Sequence, residues 1–215
     1  MKGLLIKDFL NLKKNFKIFG ILTLIYGFMA FTSGDSSFFS TIFTMLFAIM
    51  TLSLYSYDDM AKWDSYALTM PISKDMIVQG KYLMMLLLTF IGATFSILIT
   101  IIICLTSPGK SLLPAFQSCG IVSAIVIIFY SLTIPIITKL GVEKARIILF
   151  AAYLIPFAIV MLLKKAVKNF TISDDIMEFL QFIQEYSYII IPIVILLILG
   201  VSYLISIRIY RKKEL

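Results

Sequence analysis

An all-α membrane protein is the fold class this sequence predicts, and three observations predict it. First, the chain is 60% hydrophobic and its mean hydropathy is +1.01, where a soluble domain is closer to half apolar. Second, six runs carry no Asp, Glu, Lys or Arg: Ile18–Gly34, Ser36–Tyr57, Tyr82–Gly109, Ser111–Thr138, Ile147–Leu163 and Tyr186–Ile207. A spanning helix needs roughly 20 residues, and one charge at mid-membrane costs about 2.5–3.5 kcal/mol. Six charge-free runs of this length therefore do not read as a soluble core. Third, the basic residues cluster between alternate runs. The reading is one transmembrane domain over 1–215, with spans at about 17–33, 38–57, 82–106, 112–137, 146–163 and 187–208.

The charge of +7 is explained by location. Nucleic-acid binding is one meaning of a basic chain, but the positive-inside rule accounts for this one better. Lys2, Lys7, Lys13, Lys14 and Lys17 precede the first run. Lys62, Lys74 and Lys81 fill the second loop, Lys139, Lys144 and Arg146 the fourth, and Arg208, Arg211, Lys212 and Lys213 the tail. Only Lys110, Lys164, Lys165 and Lys168 fall on the other side. Both termini are thus expected in the cytoplasm, in a multi-pass cell-membrane protein. The three lysines after Leu163 depart locally from the rule.

Residues 2–16 read as an interfacial helix. Leu5, Phe9, Leu12 and Phe16 recur at helical spacing beside Ile6 and Leu10, with Lys7, Asp8, Asn11, Lys14 and Asn15 opposite. Such a helix lies in the headgroup plane; the plainer alternative is a basic flank orienting the first span. Thr32–Ser37 and Ser107–Ser111 read as tight turns. The outer segment Lys164–Glu185 contains Ser173, a suitable helix N-cap, before an apolar stripe of Ile176, Phe179, Leu180 and Ile183. A short helix on or in the membrane is expected there. Pro135, Pro156 and Pro192 lie inside spans, where kinks are tolerated. Cys104 and Cys119 read more readily as two small buried residues than as a disulfide. The first apolar run is long enough to span and lacks a convincing cleavage site, so no removable signal peptide is expected.

Missing chemistry narrows the function. The chain has no histidine, and the predicted spans hold no ionisable acid or base. Proton relays and intramembrane active sites use such groups, and two separated cysteines build no metal site. Sodium coupling is less firmly excluded, because backbone carbonyls bind that ion. The phosphate-loop pattern is absent: Pro108-Gly109-Lys110-Ser111 lacks the earlier glycine. No loop is long enough for a catalytic domain. The chain is therefore expected to carry no enzyme activity and no cofactor of its own.

The most polar stretch runs from Asp58 to Lys81. Asp58–Met70 has the pattern of a short helix. Pro71 disfavours helix at Met70, and Ser73 is placed to cap the next helix, with Asp75 in its first turn. Trp63 and Tyr66, three apart, share a helix face suited to a partner's pocket or to the membrane's aromatic belt. Tyr57-Asp58-Asp59, Lys62-Trp63-Asp64, Leu68-Thr69-Met70-Pro71-Ile72-Ser73-Lys74 and Gly80-Lys81-Tyr82 together resemble the cytoplasmic loop of ABC-2-type permeases. Met70, Ile72 and Lys74 stand where that pattern has leucine, valine and arginine. The topology of basic amino end, six spans and both ends inside is also similar.

The resemblance implies the membrane half of an ATP-driven exporter. Asp58–Met70 is then the coupling helix, with Asp58, Asp59, Lys62, Trp63, Tyr66, Leu68, Pro71, Ser73 and Lys74 docking a separate ABC ATPase subunit that holds ATP and Mg. A second permease chain, identical or related, completes the pair. An uncharged pathway suits hydrophobic or amphipathic cargo, and the small members of the group suggest antimicrobial peptides or toxins before lipids or drugs. Three rivals stand beside this reading. An ATPase-independent transporter or channel predicts ion-binding clusters in the spans. A headgroup enzyme would use Asp58, Asp59 and Asp64. A non-transporting anchor would recruit an ATPase without moving substrate.

Overall fold

Helix α1 runs unbroken from Lys2 to Ser33. Four more long or short helices follow: α2 (Ser36–Met60), α3 (Trp63–Ala67), α4 (Lys74–Thr106) and α5 (Leu113–Leu140); α6 (Ser187–Lys212) carries the tail. The computed structural model describes residues 2–33, 36–67, 69–106, 113–145, 147–148 and 187–213. All regular structure among these residues is helical. The expected fifth span, the outer segment with Ser173 and the Ser107–Ser111 turn lie outside them, apart from helical residues 147–148.

Among the described residues, four stretches are long and apolar enough to cross a membrane: Thr41–Met60, Lys74–Ile103, Phe116–Leu140 and Ile190–Lys212. They correspond to the second, third, fourth and sixth expected spans. The first expected span forms the second half of α1: it continues the amino-terminal segment without a helix break, so residues 2–16 and 17–33 form one helix where two elements were expected.

The apolar stripe of the amino-terminal segment is divided: Leu5 and Leu12 pack in the cluster shared with α2 and α4, and Phe9 is exposed. Leu4 and Asp8 are also buried, while Ile6 and Leu10 are exposed. Beside lipid a charged side chain turns inward to find its partners, as Asp8 does.

α2 and α4 make the most extensive helix pair, and α4 also touches α1, α5 and α6. α4 separates two apolar clusters. Met84 and Leu88 pack with Leu12, Phe43, Phe47 and Met50 towards α1 and α2. Tyr82 and Met85 pack with Val126, Tyr130 and Ile134 of α5 on the other side. Lipid is as apolar as leucine, so close fit holds such pairs together. Gly92 supplies that fit: a Cβ there would stand 2.8 Å from the Phe47 Cβ.

Polar seams add to the packing. The Tyr82 hydroxyl lies 2.6 Å from Ser202 Oγ and 2.8 Å from Ser206 Oγ, and Ser202 donates to the Ser131 carbonyl. Gln79 Nε2 donates to the Tyr203 hydroxyl at 2.7 Å. These bonds tie α4, α5 and α6 together. Cys119 is buried and free of any disulfide.

Candidate functional site

The amino-terminal helix, the loop after α2, the end of α5 and the tail converge at one end of the molecule. α2 closes at Met60, and Lys62 reverses the chain with φ of +47°. Its amide donates to the Asp59 carbonyl at 3.1 Å. This left-handed residue is uncommon for a side chain of that size. It breaks the single helix expected over 58–70: Asp58–Met60 belong to α2, and α3 is only five residues long. After α3, Thr69 and Met70 donate back to the Tyr66 and Ala67 carbonyls, and Pro71 prevents the helix from resuming. Ser73 Oγ then accepts the Met76 amide at 3.2 Å, which is the expected cap of α4. Asp75 sits in that helix's first turn.

Asp58 is only 7% exposed. It accepts two bonds from Lys7 Nζ, at 2.7 and 2.9 Å, and pairs with Lys81 as well. Asp8, 3% exposed, lies 2.8 Å from Lys7 and 3.8 Å from Lys81. Two ammoniums and two carboxylates thus join α1, α2 and α4 in a neutral, nearly dry cluster. Aromatic rings complete it. Lys7 Nζ stands 4.2 Å from the Trp63 ring centroid and Lys81 Nζ 4.9 Å from that of Tyr55. Such contacts strengthen as water is excluded. Nearby, the Tyr57 hydroxyl donates to Asn15 Oδ1 at 2.9 Å.

On the tail side, Arg211 forms a two-pronged pair with Asp75, its Nε 2.8 Å from Oδ1. Lys213 Nζ lies 3.0 Å from Asp64 Oδ2. Lys74 donates to the Arg211 and Lys213 carbonyls at 3.3 and 3.0 Å. The loop is therefore fastened to α1 and α4 by one cluster and to α6 by another.

The residues read as docking groups divide accordingly. Asp58 is committed to the interior, Trp63 is half-buried under Lys7, and Lys74 is committed to the tail. Asp59, Lys62, Tyr66, Pro71 and Ser73 face outward, and Leu68 lies outside the described residues. Trp63 and Tyr66 do touch, with ring centroids 5.6 Å apart, but only Tyr66 projects, at 57% exposed. Met60, 83% exposed, also projects and was not singled out in the sequence. Lys7, Asp8, Asn15, Arg211 and Lys213 were also missed as parts of this site. Their signal was a set of polar residues at both chain ends with opposite-charge counterparts in the loop. Among the described residues, no group of three or more acidic, cysteine or histidine side chains is arranged to hold a metal.

A bundle of membrane-length apolar helices, joined at one end by a charged cluster, has the character of a multi-pass integral membrane protein. Residues 3–211 match the family described as ABC-2 family transporter protein, and the chain belongs to that family. No curated protein matches the sequence.

Proposed function

We propose that this chain is the membrane-spanning subunit of an ATP-driven exporter. Its α2–α3–α4 joint faces the cytoplasm and docks a separate ABC ATPase, which binds ATP and Mg. The observation that carries this reading is the division of the loop. Its inner charges are spent on α1, α4 and α6, leaving Asp59, Met60, Lys62 and Tyr66 exposed. An exposed aromatic and a neighbouring apolar side chain on a rigid support have the character of an interface hot spot. Two such chains, identical or related, pair around a pathway with no charge in its walls. Such a path suits hydrophobic or amphipathic cargo, with peptides the leading candidates. ATP-driven movement of the docked subunits switches the pair between inward and outward access.

The test is a mild-detergent pull-down of the tagged chain from its native membrane, with ATPase activity measured on the eluate. Met60→Ala with Tyr66→Ala is expected to remove the ATPase while leaving the chain inserted and folded. Undiminished ATPase recovery in that variant would overturn the docking assignment. The absence of any ATPase with the parent chain would overturn the exporter reading itself.

A further inference from the structure

A groove of about 690 Å³ runs between α5 and α6. Leu132, Pro135 and Ile136 form one wall, and Leu197, Val201 and Ile205 the other. The leucines, Val201 and Ile205 are exposed. The two polar side chains in the lining are closed off. Pro135 has no N–H for the Ser131 carbonyl four residues earlier, and Ser202 donates to that carbonyl instead. Ser131 Oγ donates to the Ile127 carbonyl at 2.7 Å. The lining therefore asks for no polar group from an occupant. Both helices run on from the groove to the charged joint. From the Ser131–Ser202 contact, Lys139 stands eight residues further along α5 and Arg208 six residues further along α6. At 1.5 Å per residue those steps are about 12 and 9 Å, so the two cations reach similar depths. Helical register sets both on the groove side. Lys139 follows Ile136 by three residues and Pro135 by four, and Arg208 follows Ile205 by three and Val201 by seven. Both are exposed, and neither forms an ion pair among the described residues.

We propose that this groove holds an acyl chain of an anionic phospholipid, whose headgroup is met by Lys139 and Arg208. The groove spans residues 197–205 on α6, about 12 Å of helix, which fits within one leaflet's half of a hydrocarbon core of about 30 Å. Its volume lies in the range of roughly 300–1,000 Å³ that ligand sites occupy. An apolar slot between membrane helices that ends in two unpaired cations is complementary to a chain that ends in an anion. A neutral lipid leaves both cations unanswered. A second copy of this chain fits worse: a two-fold axis along the membrane normal would set Lys139 and Arg208 against their own copies, like charge against like. The site rests on the membrane character of α5 and α6, not on the ATPase reading, and is tested on this chain alone.

The purified, delipidated chain in uncharged detergent is titrated with dioleoyl phosphatidylglycerol and with dioleoyl phosphatidylcholine, and native mass spectrometry counts the lipid bound per chain. The two lipids share their acyl chains, so the comparison reads the headgroup. Saturable binding of the glycerol lipid is expected, about tenfold tighter than that of the choline lipid. Inorganic phosphate alone should not compete, because burial of the acyl chain supplies much of the affinity. Lys139→Gln with Arg208→Gln should weaken binding about 25-fold, roughly fivefold per cation, with the lipid-free melting temperature unchanged. Lys13→Gln with Lys17→Gln removes the same charge from exposed positions of α1 and should leave the affinity within about twofold, since distant charges are screened. Val201→Trp fills the groove and should weaken binding about tenfold, again with the lipid-free melting temperature unchanged. Equal affinity for the two lipids, equal losses in the two lysine and arginine double variants, or full binding by Val201→Trp overturns the proposal. So does a fall in the lipid-free melting temperature of Val201→Trp, which would show that protein rather than lipid fills the groove.

Discussion

Asp58→Asn is the substitution that most sharply separates a buried structural aspartate from a docking one. The carboxylate accepts two bonds from Lys7 and pairs with Lys81, and it is 7% exposed. One such contact, near 2.8 Å, has a gross Coulomb energy of about 6 kcal/mol at an effective dielectric of 20. Most of that gross attraction is spent on desolvation. The measurable quantity is the cost of stranding the partners, typically about 3–5 kcal/mol for a broken buried pair. Asp8 stays beside both lysines, 2.8 and 3.8 Å away, and shares the leftover charge, so the lower figure of about 3 kcal/mol applies. In a chain of this size that corresponds to a fall of about 6–12 °C in melting temperature. Thermal unfolding in detergent, followed by helical circular dichroism, reads it. Asp59→Asn, on the exposed neighbour, should leave the melting temperature unchanged. Equal melting temperatures for parent and Asp58→Asn would refute the buried cluster. Asp58→Leu combined with Lys81→Met should cost less than either change alone, because it strands fewer charges.

Gly92→Ala should destabilise the α2–α4 pair by about 1–3 kcal/mol, since its Cβ would meet Phe47 at 2.8 Å; the same melting assay checks it. Asp75→Arg or Arg211→Asp alone should speed amide hydrogen exchange over residues 208–213, and the double exchange of charges should restore protection. Faster exchange in the double variant than in either single one would show that the pair does not hold the tail.

The third, fourth and sixth spans were legible because charge-free runs in lipid leave the chain few alternatives. Ser73 as the cap of α4 was equally legible, since capping is local chemistry. The continuity of the first span with the amino-terminal segment was not legible, because one-dimensional pattern does not say whether a helix bends at residue 16. The burial of Asp8 on α1 was not legible, because one of its partners, Lys81, arrives from α4. In the loop, the acidic pair was visible as a pair, but its members separate. Asp58 falls on the α2 face that meets Lys7 and Lys81, and Asp59, one residue on, points out. That split depends on α1 and α4 arriving at one place, the paired positions being 51 and 23 apart in sequence.

The placement of those charges bears on how a push at α3 would travel. A five-residue helix is too short to hold its own shape, because helix nucleation is costly and isolated short helices are marginal. α3 therefore takes its position from its neighbours: Lys7 lies over Trp63, Lys213 pairs with Asp64, and Ala67 is buried in the α4–α5 cluster. Force applied at Tyr66 reaches α1 through the Trp63 ring, α6 through Asp64 and α4 through Ala67, with no intervening flexible linker on any route. Cutting one route should weaken transmission and leave docking intact. In reconstituted vesicles with the ATPase bound, Asp64→Asn should retain ATPase recovery while lowering substrate moved per ATP hydrolysed. A parallel loss of ATPase binding would instead place Asp64 in the docking surface, and an unchanged ratio would show that the tail carries none of the load.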